Sequence, residues 1–131
     1  MFVVPTKIDY GLVVMLALAQ AGDQYVSLTD IAHQRSISQK YLSQLIIPLR
    51  QAGLVLSREG KGGGYRLAHH PSAITVRQVV EALDGPLQLA RCMDPSQHCP
   101  ANHACKTKPV WQQLQREMYD LLSQKKLADI V

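Results

Sequence analysis

Apolar side chains recur at helical spacing over residues 6–21, with Ile8, Leu12, Met15, Leu16 and Ala19 along the run. Thr6, with Asp9 three residues on, reads as a capping pair, and Gly22-Asp23 ends the helix. SLTDIA (27–32) opens a second helix, with Ser27 as N-cap and Asp30 in the capping-box position, and HQRSIS reads as a break. Ser38 then caps a third helix, QKYLSQLIIPLRQA, that Gly53 terminates. Its apolar residues Leu42, Leu45, Ile46 and Leu49 share one face, whereas Gln39, Lys40, Tyr41 and Gln44 stay near the exposed side. Pro48 removes a backbone donor inside this helix, which predicts a bend or an early end there.

The period then changes. LVLSREGKGGGYRLA (54–68) reads as strand, glycine-rich turn and strand, a β-hairpin. ITVRQVVEALDG (74–85) returns to helix, with Thr75 and Gln78 as capping pair and Asp84-Gly85-Pro86 as the stop. Pro95, Pro100 and a scarcity of apolar residues make the next stretch a loop. A last helix runs from about Pro109 to Lys126. In it Trp111, Leu114, Met118 and Leu121 step by three, four and three, a seam that wants a partner helix. Ordinary core packing makes the same stripe, so the seam alone does not decide between them. The fold expected is mainly α with a small β-hairpin.

Two short helices joined by a few residues, the second opening with small polar side chains, look like a helix-turn-helix. Such a recognition helix needs an apolar underside and hydrogen-bonding groups at its N-terminal end. The hairpin that follows makes the order that of a winged helix-turn-helix. Charge sharpens this picture. Of a formal +4 over 131 residues, the whole excess lies in 27–70, where Arg35, Lys40, Arg50, Arg58, Lys61 and Arg66 face only Asp30 and Glu59. A concentrated basic region is the footprint of nucleic-acid binding. Arg35, Lys40, Arg58, Lys61 and Arg66 are candidates for phosphates or a minor groove, and Ser38, Gln39, Tyr41 and Gln44 for base or backbone contacts. With a DNA-binding element beside it, the terminal seam is read as a homodimer interface, since symmetric DNA-binding dimers need one.

Other classes fall away. GKGGG is no phosphate-binding P-loop, because Lys61 is followed by Gly62 and a strand rather than by Ser or Thr and a helix. No Ser/His/Asp or Cys/His arrangement sits on recognisable turn chemistry, so an enzyme is not expected. No apolar run reaches the ~18 residues of a membrane span. The N-terminal stretch lacks the order of a signal peptide, which leads us to expect a cytoplasmic protein with reduced thiols.

All three cysteines lie in CMDPSQHCPANHACKTK, spaced C-x6-C-x5-C at Cys92, Cys99 and Cys105. Zinc sites usually pair cysteines two to four residues apart. Wider spacing suits the larger iron–sulfur cluster, whose ligands sit several ångströms apart. By spacing alone a cluster, a thiol switch, zinc and unligated cysteines all remain open.

The order of helix, helix-turn-helix, GGGY wing, three-cysteine loop and Trp-containing helix resembles the IscR, NsrR and RirA family of iron–sulfur winged-helix transcription regulators. SLTDIAHQRSISQKYLSQLIIPLRQAGLV, GKGGGYRLA, TVRQVVEALDG and RC-x6-C-x5-C carry the likeness over nearly the whole chain. The resemblance implies three parts: a winged DNA-binding domain over 1–85, a cluster loop over 86–108, and a dimerisation helix and tail over 109–131. It implies an iron–sulfur cluster on Cys92, Cys99 and Cys105, four-iron in preference to two-iron. It also implies a repressor that binds a near-palindromic operator according to cluster state. In the IscR-type branch a histidine three residues after the last cysteine completes the ligands, but Lys108 stands there. The NsrR-type branch uses an aspartate early in the first helix, supplied by the other subunit, and Asp9 matches that place. His98 and His103 are rival donors, and capping of helix 1 is the rival role for Asp9. Glu59 occupies the wing position where the family's minor-groove arginine is often found. Ser43 stands where the IscR type has a glutamate that affects site choice, so that type's operator does not carry over. A cluster-free repressor with a thiol switch is the nearest rival function, and a small iron–sulfur electron carrier or metal adaptor is the rival of another class.

Overall fold

The computed structural model describes residues 1–100 and 104–131. Five α-helices and one antiparallel hairpin run in the order α1 (Thr6–Ala21), α2 (Leu28–Arg35), α3 (Gln39–Gln51), β1 (Val55–Arg58), β2 (Gly64–Leu67), α4 (Val76–Asp84) and α5 (Lys108–Gln124). Short 3-10 turns fall at Pro71–Ala73, Arg91–Met93 and Leu127–Asp129.

Helix α1 is the central element and packs on α3, α4 and β2. Its buried line is Ile8, Gly11, Val14, Met15 and Leu18, which is rotated from the expected stripe. Leu12, Leu16 and Ala19 are only half-buried. Because α1 is apolar on nearly every side, periodicity alone cannot fix which face turns inward. The expected cap is also corrected. Pro5 holds the N-cap position and no side chain caps the helix, so Thr6 and Asp9 are not a capping pair. Proline serves well at a helix start because its missing donor would have had no partner there.

Helix α2 continues through His33, Gln34 and Arg35 rather than breaking at His33, since none of these three residues opposes helix. Ser36 stops it with φ 54°, and Ser27 Oγ accepts from the Asp30 amide at 3.1 Å. Ser38 likewise accepts from the Tyr41 amide at 3.4 Å to open α3. Leu42, Leu45, Ile46 and Leu49 are all buried beneath it. That burial carries α3 past Pro48 to Gln51, so the early end expected at the proline does not occur.

The hairpin pairs Val55 with Leu67, Leu56 with Arg66 and Arg58 with Gly64. Val26 exchanges two 2.8 Å hydrogen bonds with Tyr65, an isolated antiparallel bridge that ties the wing to the start of α2. Gly64 makes this possible. Its φ is +140°, and a Cβ there would strike the Val26 carbonyl. Helix α4 carries the expected capping box: the Thr75 amide donates to Gln78 Oε1 at 2.8 Å, and the Gln78 amide to Thr75 Oγ1 at 3.1 Å.

Helix α5 has no buried residue. It is held to α4 and the loop by Arg77 stacked over Tyr119, by Tyr119 Oη donating to the Leu87 carbonyl, and by the Leu89 amide donating to Gln115. The segment after α5 then returns to the core. The Val76 amide bonds the Lys125 carbonyl, the Leu127 amide bonds the Ile74 carbonyl, and the side chains of Leu127 and Ile74 are fully buried. Among the described residues no helix is long and apolar enough to cross a membrane.

Candidate functional site

The exposed N-terminal end of α3 carries Ser38, Gln39, Lys40, Ser43 and Gln44, with Ser43 Oγ bonded back to the Gln39 carbonyl at 2.9 Å. Tyr41, expected near that surface, is half-buried at its margin. Its ring meets Tyr10 of α1 edge-on at 5.8 Å and packs against the core. The α3 periodicity puts Tyr41 one residue before buried Leu42, at the margin of the apolar face, where a neighbouring aromatic decides its direction. Arg35, at the end of α2, donates to Gln20 of α1 at 3.3 Å, and Arg50 donates to Ser57 of β1 at 3.3 Å.

In the wing, Lys61 and Glu59 are exposed in the turn. Arg58 donates to the Gly62 carbonyl at 2.7 Å and lies 4.2 Å from the Tyr25 ring centroid; Arg66 lies 5.1 Å from the same ring. Tyr25 carries no signal in the sequence. It is one aromatic in a short link, and only the Val26–Tyr65 pairing brings it to the hairpin. Ser38, Gln39, Lys40, Gln44, Arg58, Lys61 and Arg66 thus come from α3 and from the hairpin that packs against it.

The cysteine loop leads into α5. Cys92 lies in the Arg91–Met93 turn, and Cys105 stands two residues before Thr107, the N-cap of α5. All three cysteines are free and half-buried. The Cys105 Sγ–Thr107 Oγ1 contact is 3.2 Å. That hydrogen bond, with the Thr107 and Lys108 amides and the Lys108 charge, holds the Cys105 thiol below its ordinary range despite partial burial. Asp94 is drawn low by the Ser96 amide and hydroxyl, which close a tight turn on its carboxylate. Three unpaired thiols, one biased towards thiolate, are donor chemistry that fits an iron–sulfur cluster. Within the single chain they are not assembled: among the described residues no three Cys, His, Asp or Glu side chains converge to hold a metal ion. Asp9 is exposed in the first turn of α1, beside Lys7, which pairs with Asp84. His98 is exposed, and His103 lies outside the described residues.

An apolar groove of about 390 Å³ runs between the N-terminal segment, α1, α4 and α5, lined by Phe2, Val4, Ile8, Val80, Met118 and Leu122 among others. Val110, Leu114, Met118 and Leu121 are exposed along α5, and Trp111 is half-buried.

Known proteins share this arrangement. Protein rrf2 of Nitratidesulfovibrio vulgaris is 39% identical over 127 residues, covering 96% of this chain and 85% of the relative. The structure of CymR, the global cysteine regulator of B. subtilis, matches at a TM-score of 0.79 with 34% identity over 99% of this chain and 96% of its own. That of T. potens IscR matches at 0.80 with 37% identity, covering 98% and 85%. The model of the Rrf2 family, described as iron-dependent transcriptional regulator, matches residues 4–131. With a winged helix-turn-helix and a family match over nearly its full length, the chain belongs to the Rrf2 family of transcriptional regulators, which are DNA-binding proteins and not enzymes.

Proposed function

We propose that this regulator binds an iron–sulfur cluster on Cys92, Cys99 and Cys105 and engages a near-palindromic operator as a homodimer, as a repressor, according to cluster state. The observation that carries the reading is the set of three free, half-buried thiols leading directly into α5, in a chain whose family is iron-dependent. A cluster, four-iron in preference to two-iron, would supply iron that oxygen, nitric oxide, redox change or iron shortage can alter. The partner subunit's Asp9 is the proposed fourth donor. Its carboxylate is a harder and weaker ligand for iron than thiolate, so that position exchanges most readily.

The remaining roles belong to the chain's own side chains. Ser38, Gln39, Lys40 and Gln44 meet base edges and backbone from α3, with Tyr41 at the margin of that surface. Arg35, Lys40, Arg58, Lys61 and Arg66 bind phosphates, the salt-dependent part of the affinity. Trp111, Leu114, Met118 and Leu121 pair α5 with its partner copy, which sets two recognition helices about one helical turn of DNA apart. Loop and helix join through Cys105 and Thr107, so a change in the loop is felt at the dimer helix.

A second reading, a cluster-free regulator with a cysteine thiol switch, is favoured by the lowered Cys105 thiol and by the likeness to a global cysteine regulator. One experiment separates the two. Protein purified without oxygen is assayed for visible absorbance, for iron and sulfide per chain, and for operator binding before and after cluster removal. Bound iron with matching sulfide, and DNA binding that changes on removal, support the cluster reading. An iron-free, folded, DNA-competent protein decides for the thiol switch. Asp9→Ala then tests the fourth donor: unchanged cluster content and stability to oxygen remove Asp9 from the set.

A further inference from the structure

Tyr25 lies between two cations of the wing. Both the 4.2 Å separation to Arg58 and the 5.1 Å separation to Arg66 fall inside the ~6 Å range over which a guanidinium is drawn to a ring face. The hairpin register explains the arrangement. Arg66 stands opposite Leu56, and Arg58 is two residues further along β1, so both side chains leave the same side of the hairpin. Tyr25 reaches that side because Val26 is hydrogen-bonded to Tyr65. Two like charges on one patch repel each other, and the ring offsets that repulsion. Arg58 is further fixed by its bond to the Gly62 carbonyl. Arg66 Nε is shielded from solvent and has no acceptor, which is costly for a charged donor.

We infer that Tyr25 is a positioning residue that holds Arg58 and Arg66 as a paired-guanidinium clamp on a phosphodiester of the DNA backbone. The grip of this wing then comes from its flank, through Tyr25, as well as from Lys61 at the tip, where Glu59 repels phosphate. Planar guanidinium groups suit this task because they offer two parallel donors to one phosphate. The inference rests on the DNA-binding reading, and it extends that reading to a residue outside the recognition helix and hairpin.

The test uses the full chain and a random-sequence duplex, because phosphate contacts do not depend on sequence. Dissociation constants are measured across a salt series for wild type, Tyr25→Phe, Tyr25→Leu and chains carrying phenylalanine with increasing fluorination at position 25. Fluorine drains the negative ring face and leaves the ring's shape nearly unchanged. Tyr25→Phe is expected within about twofold of wild type, and Tyr25→Leu about tenfold weaker, with affinity falling at each step of fluorination. The salt slope should drop by about one to two in the weakened chains. Arg58→Ala with Arg66→Ala should lose as much, and adding Tyr25→Leu to that pair should change nothing more. If Tyr25→Leu and the fluorinated series bind like wild type with the same slope, Tyr25 only packs the wing and the inference falls. If Tyr25→Leu fails to fold, the fluorinated series decides alone. If wild type shows no salt-sensitive duplex binding, the DNA-binding reading itself fails and this inference fails with it.

Discussion

Leu121→Ala should loosen the proposed dimer while leaving the isolated chain as stable as before. In the single chain Leu121 is 66% exposed, Val110 53%, Leu114 40% and Met118 38%, all on a helix with no buried residue. Fully burying such a side chain contributes about 2 kcal/mol, so covering these exposed fractions contributes about 4 kcal/mol per chain. A twofold interface counts every contact twice, for about 8 kcal/mol in all. Association costs about 4–15 kcal/mol in lost freedom, so these side chains sit close to the threshold and each one matters. Truncating Leu121 removes about 1 kcal/mol per chain and about 2 per dimer, which weakens the dimer about 30-fold. Sedimentation equilibrium over a concentration series measures this directly. Because Leu121 is already solvated in the lone chain, the melting midpoint of dilute, monomeric protein should not move. Equal dissociation constants for wild type and variant would refute the seam on α5, as would a wild-type chain that remains monomeric at every concentration.

Gly64→Ala should lower the melting temperature and abolish wing-dependent DNA binding. The positive φ alone costs about 1–3 kcal/mol, and the new Cβ meets the Val26 carbonyl, which is backbone and cannot swing aside. An unchanged melting curve would show that the Val26–Tyr65 pairing does not hold the wing. Thr75→Ala breaks one arm of the α4 capping box and should cost about 1 kcal/mol, read as a fall of about 4 °C in the melting midpoint with DNA affinity preserved. A variant as stable as wild type would mean that the Lys125 and Leu127 backbone bonds alone hold this corner.

The parts that were legible in the sequence are those whose cause is local. Ser27, Ser38 and the Thr75–Gln78 pair cap their helices through bonds three residues long. The α3 stripe was readable because, Ile47 apart, apolar and polar residues fall on opposite sides of that helix, and all four expected residues are buried. The wing was readable because glycine punctuates it. Where such contrast is missing the pattern misleads. Helix α1 is apolar all round, so its buried face depends on α3, α4 and β2 rather than on its own period. The continuation of α2 past His33 and of α3 past Pro48 reflects helix-compatible residues and tertiary burial, which outweigh a weak local break. Of the candidate site, the exposed α3 residues and the wing cations could be named from the sequence. The half-burial of Tyr41 could not, because it depends on Tyr10, a residue of another helix.

From its sequence alone this protein is determined to be a winged helix-turn-helix chain with a basic third, three grouped thiols and a last helix that carries an apolar stripe. Spacing, capping and charge are properties of neighbouring residues, and they act before the chain has folded. Tertiary structure alone decided that Tyr25 meets Arg58 and Arg66 and that Leu127 returns to bury itself beside Ile74. Both depend on closing a long loop around a packed core. The cost of that closure is met by the fold as a whole and leaves no mark on any short stretch of sequence.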